Sequence, residues 1–303
     1  MPRLLLTGTS GFVGRRLLPR LQQEGYSDVL LLARDRRSLP PADSLPPHWR
    51  ILEGKLEEPA SWAAHLEGVE TIVHLAAATG KVPRRTQQAV TLEGTRHLLE
   101  RALASGVRRF LLVSSNAVAY RDRPHYHYAE AKLAAEALVA AAPLDWLIVR
   151  PTLVLGPESP LQTSLGRLAG LPVPLLFGTG RHAVQPIHVD DLARILVEAL
   201  ALPRWGGRVL PLGGPEVLSL EDLMSRLRRA GHRRPARFLH LPLPPVRGVL
   251  SLLEPVLLPI LPFTAGQLAF FANPSVAAPD REFAGLTPPR LDVAAMLGDC
   301  AGA

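Results

Sequence analysis

Thr7-Gly8-Thr9-Ser10-Gly11-Phe12-Val13-Gly14 is the clearest fold signal in this chain. It follows the short apolar run Arg3–Thr7 and opens Phe12–Glu24, a segment with the apolar spacing of a helix. At such a turn the first glycine permits a sharp bend, the second lets the backbone approach a pyrophosphate, and the third lets helix and strand pack closely. Free N–H groups at the helix N-terminus attract phosphates. The stretch therefore predicts a dinucleotide site, with a tight turn that binds nothing as the alternative.

The alternation of strand and helix patterns continues to about residue 150. The apolar runs typical of buried parallel strands are Arg3–Thr7, Val29–Ala33, Thr71–Ala76, Phe110–Ser114 and Trp146–Val149. The segments with helical spacing are Phe12–Glu24, Ala60–Leu66, Thr86–Ser105 and Tyr128–Ala141. This order predicts the α/β class, with a doubly wound parallel sheet (a Rossmann fold) and right-handed crossovers.

A smaller second lobe is expected after Arg150, where the alternation loosens. The elements predicted there are helices near Leu161–Leu168, at Val189–Leu202 and at Ser219–Ala230, with Ser219 as an N-cap, and a strand at Arg208–Leu212. We expect a dinucleotide-binding domain at 1–151, to which 184–214 returns. The rest of 152–303 is predicted to form a discontinuous substrate or cap lobe.

The segment Leu239–Phe271 is strongly apolar, but prolines interrupt it. They exclude one long helix because proline breaks a helix interior. These prolines are Pro242, Pro244, Pro245, Pro255, Pro259 and Pro262. Two interpretations stay open: a cap packed on the core, or an apolar surface that contacts the inner membrane peripherally or docks a protein complex.

The composition predicts a folded chain with a sizeable core. Of its 303 residues, 47% are apolar and 20% are charged, which excludes a disordered chain. Thirty prolines exclude a long helical bundle or coiled coil. The single cysteine, Cys300, excludes a disulfide framework and a thiolate zinc site, and it favours a reducing compartment.

The sequence predicts a cytoplasmic protein whose partner is a small-molecule substrate. No run of about 18 apolar residues predicts a membrane span. Met1–Thr7 is too short for the apolar part of a signal peptide. The net charge of +7 comes from scattered arginines with few aromatic residues among them, so nucleic acid is not expected as a partner.

Tyr128 and Lys132 form a candidate catalytic pair. They are four residues apart in a predicted helix, so they share one face. A nearby cation lowers the pKa of a phenol from its ordinary value of about 10, which suits proton exchange with the alkoxide formed in hydride transfer. Lys132 is one of three lysines in a chain that otherwise uses arginine. Tyr126 has Glu130 in the corresponding position. A surface helix pair without function is the alternative.

The GxxGxxG spacing resembles that of the short-chain dehydrogenase/reductase superfamily, in its extended or atypical branch of NAD-dependent epimerase/dehydratase-like proteins. Further segments match in the same order: His74-Leu75-Ala76-Ala77, Arg150–Pro157 (RPxxxxGP), Gln185–Ala193 (containing HVDDxA) and Leu212–Pro215. The likeness covers residues 3 to about 230. The proline-rich C-terminal stretch most resembles the nucleotide-binding accessory subunit of respiratory complex I and its bacterial relatives.

This resemblance implies hydride transfer between NADP(H) and a carbonyl or hydroxyl substrate. Tyr128 would be the general acid/base, Lys132 would tune its pKa and hold a ribose hydroxyl, and Ser115 rather than Ser114 would orient the substrate oxygen. The implied cofactor-binding residues are Gly8, Ser10, Gly11, Phe12, Val13, Gly14, Arg34, Leu56, Leu75, Ala76, Ala77, Ser114, Tyr128, Lys132, Pro151, Thr152, Leu153 and Val154.

Arg34 at the end of the second strand favours NADP, because an arginine there accommodates a 2′-phosphate. Asp35 follows it and could accept from a ribose hydroxyl, so NAD stays possible. A solvated charge run is the third interpretation. Two residues depart from the resemblance: Lys55 replaces the family's aspartate near adenine, and Thr91 replaces an asparagine that supports a proton path.

The same sequence bears on a metal site and on two further functions. His125, His127 and His188 have no acidic or cysteine partner at ligand spacing, so no metal site is expected. Asp190 and Asp191 suit the start of a helix. The alternative functions are a non-catalytic NADP-binding accessory or assembly protein and a nucleotide-sugar-type epimerase or dehydratase.

Overall fold

The computed structural model describes residues 3–41, 44–231, 233–258, 260–261, 263–277 and 285–298. Met1, Pro259, Pro262 and Cys300 lie outside these ranges. The strands are β1 (Leu4–Thr7), β2 (Val29–Ala33), β3 (Arg50–Glu53), β4 (Thr71–His74), β5 (Arg109–Val113), β6 (Asp145–Pro151), β7 (Val154–Leu155), β8 (Leu175–Phe177), β9 (Ala183–Val184), β10 (Ile187–His188), β11 (Arg208–Leu212), β12 (Leu218–Ser219) and β13 (Leu239–Leu241).

Helices connect these strands. The α-helices are α1 (Phe12–Gln23), α2 (Arg84–Thr86), α3 (Gly94–Ala104), α4 (His127–Ala141), α5 (Pro160–Gly170), α6 (Val189–Ala201), α7 (Leu220–Ala230), α8 (Leu243–Leu257) and α9 (Val293–Gly298). A π-helical turn, Gln87–Glu93, joins α2 to α3. Short 3-10 turns occur at Arg36–Ser38, Pro59–Ser61, Ala63–Leu66, Asn116–Ala119 and Gly266–Phe271.

Seven parallel strands form the central sheet in the order β11-β6-β5-β4-β1-β2-β3. The chain runs outward from β1 to β3 and then returns to place β4 on the other side of β1. The strand order therefore reverses between β1 and β4, and open α/β sheets bind ligands beyond the carboxyl ends of strands at such a point. The predicted fold class, a doubly wound parallel sheet, is confirmed.

Both faces of the sheet are buried, which explains why its strands are continuous apolar runs. In β1, Leu4 and Leu6 pack into the layer that contains α1 and α6, while Leu5 packs into the opposite layer with α3 and α4. Helix α6 lies against α1, and β11 extends the sheet next to β6. Residues from the 184–214 segment thus complete the sheet and one of its helical layers.

A third apolar cluster, hereafter the second-lobe cluster, lies outside these two layers. It joins Leu165 of α5, Leu223 of α7 and Leu250 of α8 to the aromatic side chains that follow them. Phe177 and Phe271 meet edge to face, with ring centroids 5.0 Å apart. Three two-stranded pairings, β10–β7, β12–β9 and β13–β8, lie outside the central sheet.

Helix α6 also holds the C-terminal segment. The Asp191 carboxylate accepts hydrogen bonds from the backbone N–H groups of 290–291, each at 2.8 Å, and pairs with Arg194 at 2.9 Å. Arg194 donates in turn to the carbonyl oxygens of 287–288. Asp191 thus ties two distant parts of the chain together, which is the packing role its position suggested.

Four sequence predictions need correction. The edge strand β3 was missed because Arg50 and Glu53 are exposed and only Leu52 is buried. The predicted helix Ala60–Leu66 is two 3-10 turns on either side of Trp62, whose buried indole donates to the Lys55 carbonyl at 2.8 Å. The predicted helix Thr86–Ser105 contains the π-helical turn, and the fourth strand ends at His74 rather than Ala76.

The segment Leu239–Phe271 contains β13, α8 and a 3-10 turn, so the prediction that it is not one long helix is confirmed. Pro244 and Pro245 lie in the first turn of α8, where a backbone N–H has no helical partner. The inner side of α8 packs on the second-lobe cluster. In the part of the chain that the structure describes, no helix is long and apolar enough to cross a bilayer.

Candidate active site

A cleft of about 620 Å³ lies beyond the carboxyl ends of β1, β2 and β5. Its walls include every predicted cofactor residue except Leu153, together with Ser115. The Leu153 side chain is buried instead in the second-lobe cluster. The structure therefore brings the predicted residues to one place, while their roles in binding stay a prediction.

The glycine turn permits close backbone contact at the base of this cleft. Gly8 has a φ of +74°, and a Cβ there would lie 2.5 Å from the backbone nitrogen of Ala76. A Cβ on Gly14 would lie 2.4 Å from the Gly8 carbonyl oxygen. Gly11 is the N-cap of α1, and no side chain caps the helix or places an acid in its first turn. The N–H groups of that turn are therefore available to an anionic ligand.

The three predicted catalytic side chains converge from β5 and α4. Ser115 follows β5, accepts a hydrogen bond from the Ala117 N–H at 3.2 Å, and is hydrogen-bonded to the Tyr128 hydroxyl. Lys132 lies one turn after Tyr128 in α4 and is almost fully buried. Its ammonium donates to the Val113 carbonyl oxygen at 2.8 Å. The side chains of Ser115, Tyr128 and Lys132 all line the cleft.

Burial shifts both titrating groups of this set. It raises the pKa of Tyr128, and the hydrogen bond with Ser115 partly lowers it again. It also lowers the pKa of Lys132 to about 8, against a smaller opposite effect of Glu136. The effect of the Lys132 cation on the Tyr128 pKa stays a prediction. Tyr128 is thus a protonated phenol at neutral pH, able to donate.

A buried polar chain below the cleft was missed from the sequence. The His74 ring bonds Thr7 Oγ1 at 2.6 Å through Nδ1 and Thr95 Oγ1 at 2.9 Å through Nε2. Burial, and then the charge of Lys132, lower the His74 pKa to about 3, so the ring is neutral. The only signal in the sequence was a polar residue at the end of an apolar strand. This chain of hydrogen bonds links the end of β1 to the end of β4. Because the His74 ring is neutral, it places no second charge beside Lys132.

Thr91, which departs from the family pattern, lies in the π-helical turn and is buried. Its hydroxyl accepts from the Ala78 N–H at 3.0 Å and donates to Gln87 Oε1 at 3.3 Å. Gln87 is itself buried, and no local sequence signal indicates it. Thr91 therefore holds the loop after β4 in place, and Gln87 is the side chain that it orients.

Two charged residues after β2, Arg34 and Asp35, were left by the sequence as alternative contacts for the cofactor ribose, and the structure places them differently. Arg34 lines the cleft and is exposed. Asp35 is not among the lining residues, because it caps the next turn and accepts bonds from the backbone N–H and the guanidinium of Arg37. Lys55 also lies away from the cleft and pairs with Glu58 at 2.8 Å.

The histidines considered for a metal have other contacts. His127 bonds Glu130 at 3.0 Å, and His188 accepts from the Asp190 N–H at 3.1 Å as the N-cap of α6. His125 has a positive φ of 59° in the loop before α4. Within the described ranges, no three His, Cys, Asp or Glu side chains come together as a metal site.

A second cavity of about 560 Å³ lies on the other side of Tyr128. Tyr128 and Gly80 line both spaces. The walls of the second cavity combine the loop after β4 with α8 and the residues after it, and they carry the polar side chains Gln87, Glu254 and Gln267. Tyr128 is therefore positioned to contact a ligand in either space.

The sequence did not indicate several lining residues of the first cleft. Glu57, Thr79, Gly80, Val90, Ser159 and Leu161 belong to this group. Most come from the loops after β3, β4 and β7. Hydrophobic periodicity does not predict the path of a loop. Gly80 did have a local sequence signal, because a glycine between polar residues marks a turn, and its φ here is +81°.

A model of the NAD dependent epimerase/dehydratase family matches residues 4–213. The chain belongs to this family. A ceramide reductase from Caulobacter vibrioides is 36% identical over 211 residues, which cover 66% of this chain and 62% of that protein. A UDP-glucose 4-epimerase from Vibrio cholerae is 26% identical over 254 residues, or 75% of each chain.

Solved structures of the same fold include an NAD complex. A double mutant of DesIV, the dTDP-glucose 4,6-dehydratase from Streptomyces venezuelae, was crystallised with NAD and DAU bound. It superposes with a TM-score of 0.75 at 22% identity, covering 99% of this chain and 95% of that one. This likeness shows the fold, and members of the family are NAD-dependent oxidoreductases, epimerases and dehydratases.

Gly14→Ala is expected to weaken dinucleotide binding at least tenfold, an estimate of about 1.4 kcal/mol or more for displaced backbone in the turn. The added methyl would lie 2.4 Å from the Gly8 carbonyl oxygen and force the turn apart. Titration calorimetry with NADP(H) measures the effect. The control is Gly166→Ala, another helical glycine, with nothing within 4 Å of its added Cβ. Equal affinities of the two variants would contradict the role given to this turn.

Affinity for NADP(H) is expected to fall as the pH rises through about 8, where Lys132 loses its proton. The charged ammonium favours an anionic ligand, so the loss begins above that pKa and reaches about tenfold for each pH unit at most. His74, with a pKa of about 3, stays neutral throughout. Dissociation constants across this range measure it.

Lys132→Met should bind more weakly and without this dependence. Lys55→Met is the control, because Lys55 pairs with Glu58 outside the cleft and should leave the profile unchanged. The assignment fails when Lys132→Met keeps the wild-type slope.

Proposed function

We propose that this protein is an oxidoreductase that transfers hydride between NADP(H) and a carbonyl or hydroxyl group of its substrate. The observation that carries the proposal is the position of Tyr128, hydrogen-bonded to Ser115 where the cofactor cleft meets the second cavity. The dinucleotide, when bound, supplies or accepts the hydride. The family and the glycine turn support its place in the first cleft.

Each side chain has a defined task in this proposal. Tyr128, kept protonated by burial, donates its proton to the substrate oxygen during reduction and takes it back during oxidation. Ser115 orients the same oxygen and stabilises the phenolate. Lys132 presents a cation to the anionic cofactor and to the phenolate formed after proton transfer.

NADP is the proposed cofactor rather than NAD. Arg34 lines the cleft at the end of β2, where its guanidinium suits a 2′-phosphate. The competing carboxylate of Asp35 is already occupied by Arg37, and this hydrogen bond lowers the Asp35 pKa. Arg34 is thus the charged side chain at the end of β2 that lines the cleft.

The proposed substrate is amphipathic and occupies the second cavity. The 36% identity to a ceramide reductase supports a lipid with a carbonyl or hydroxyl near a polar head group. Buried Gln87 and the nearby Glu254 and Gln267 offer hydrogen bonds for such a head group. In this proposal, 1–151 with 184–214 binds the cofactor, the rest of 152–303 shapes the substrate site, and the enzyme works in the cytoplasm.

Two other functions have an observation in their favour. The match to a UDP-glucose 4-epimerase over 75% of the chain supports an epimerase or dehydratase that passes through a keto intermediate with the same residues. The exposed apolar side of α8 supports an accessory protein that docks while holding NADP, as the resemblance to the complex I subunit suggests. The Ser115–Tyr128 bond favours the enzyme, since docking needs no such contact.

Tyr128→Phe is expected to lower turnover by about 10²- to 10⁴-fold, because the proton donor is lost, while NADP(H) affinity changes little. The assay follows NADPH oxidation over a panel of carbonyl compounds that includes long-chain keto lipids. Tyr120→Phe is the control, because this neighbouring ring, stacked on Tyr126, lines neither the cleft nor the second cavity. This function is refuted when the wild type shows no turnover, or when Tyr128→Phe is as active as the wild type.

Arg34→Ala is expected to reduce the preference for NADP over NAD by about 10- to 100-fold, the worth of a charged hydrogen bond of about 1.5–3 kcal/mol. Affinity for NAD should stay near the wild-type value. Arg36→Ala is the matched control, since Arg36 is exposed and does not line the cleft. Binding constants for both cofactors decide it, and a wild type that prefers NAD would overturn the assignment.

A further inference from the structure

The second cavity contains hydrogen-bond donors for which the protein supplies no acceptor. The amide and carboxylate side chains described on its walls each use an oxygen to accept from another part of the protein. These pairs are Gln87 with the Thr91 hydroxyl, Gln267 with the Thr264 N–H, and Glu254 with the Ala265 N–H. The groups left for a ligand are therefore largely N–H and O–H donors.

Gln87 brings a buried amide nitrogen to this cavity. The residue is 3% exposed and lines the second cavity, whereas Thr91 lines neither space. Because Thr91 Oγ1 already accepts from the Ala78 N–H, its own proton goes to Gln87, and the amide oxygen therefore faces Thr91. Among the residues that the structure describes, no acceptor bonds the amide nitrogen. A buried donor in this state calls for a ligand oxygen.

Tyr126 brings a phenol to the same cavity. Its ring lies between two others, with centroid distances of 6.5 Å to Tyr120 and 5.8 Å to Tyr128. Within the described part of the chain, the Tyr126 hydroxyl has no hydrogen-bond partner. Burial raises the pKa of Tyr126 well above its ordinary value, so the phenol keeps its proton and can donate. Tyr126 lines the second cavity but not the first cleft, so it would meet the substrate rather than the cofactor.

We propose that the Gln87 amide and the Tyr126 hydroxyl bind a second oxygen of the substrate, a few bonds from the carbonyl that Tyr128 protonates. The reacting carbonyl in this statement rests on the proposed function. The second oxygen must be near it, because the rings of Tyr126 and Tyr128 are neighbours and the π-helical turn that carries Gln87 packs against α4. The substrate class is therefore a ketone with an amide or ester carbonyl close to the reacting carbon.

A plain ketone would leave these two donors without an acceptor. A site that is built to bond a substrate oxygen discriminates against the analogue that lacks it, because its buried polar groups then stay unsatisfied. The donors thus set specificity, while Tyr128 carries out the proton transfer.

The test compares 3-oxodecanamide with 3-decanone, which has a methyl group in place of the amide and the same chain length. The readout is the ratio of kcat/KM for the keto amide to kcat/KM for the plain ketone, with NADPH. The greater intrinsic reactivity of the keto amide is the same for every variant, so it cancels when ratios are compared. Gln87→Met and Tyr126→Phe are each expected to lower the ratio about five- to tenfold, because each removes one hydrogen bond.

Two controls separate this role from a structural one. NADP(H) affinity of both variants should stay at the wild-type value, since neither residue lines the first cleft. Tyr120→Phe removes a phenol from the same aromatic group outside both spaces, and its ratio should equal that of the wild type. The inference is overturned when both variants keep the wild-type ratio, as they would if the donors held only water, or when Tyr120→Phe lowers it equally.

The same two compounds are also titrated into the protein without cofactor, where no hydride can be transferred. Wild type should bind the keto amide more tightly than the plain ketone, and each variant should lose most of this difference. Such selective binding by a wild type that does not turn over supports the donor pair and refutes only the proposed function. Turnover with the same ratio in all variants refutes the donor pair and leaves the proposed function standing.

Discussion

The close contact between the turn after β1 and the turn after β4 is the constraint on which the site depends. The backbone at Gly8 lies so near to Ala76 that a single methyl group would not fit, and Gly14 is equally close to Gly8. This contact brings the first turn of α1 against the loop after β4 at the point where the strand order reverses. One wall of the cleft is therefore backbone, and its shape does not depend on side-chain rotamers.

Burial governs the electrostatics on the opposite wall. The Lys132 ammonium is buried and donates to a carbonyl oxygen. The neighbouring His74 is neutral because burial disfavours the charged form of its ring. A second cation there would raise the cost of burying the first. Glu136, bonded to Arg150, adds a compensating negative charge one turn further along α4. The result is a single positive group placed next to a protonated phenol.

Local signals predicted much of this arrangement. The spacing of the glycines and the four-residue separation of Tyr128 and Lys132 are local patterns, each confined to one turn of the chain. Both patterns indicated residues that the fold brings to one cleft. Contacts between distant segments carried no such signal. The bond of Thr91 to the loop after β4 and the capture of Asp35 by Arg37 depend on loop paths, and β3 was missed because an exposed edge strand has few apolar residues. For α8, composition left two interpretations, and the two sides of the helix differ: one is packed and the other is exposed.

The hold of α6 on the C-terminal segment limits how the molecule can open. Asp191 and Arg194 belong to a helix of the sheet layer, yet they fasten 287–291, which leads directly into α9 against α7 of the second lobe. The two lobes are thus joined by a strap besides their connecting strands. A wide hinge rotation would have to separate the Asp191 carboxylate from the N–H groups of 290–291, so these contacts oppose such a motion.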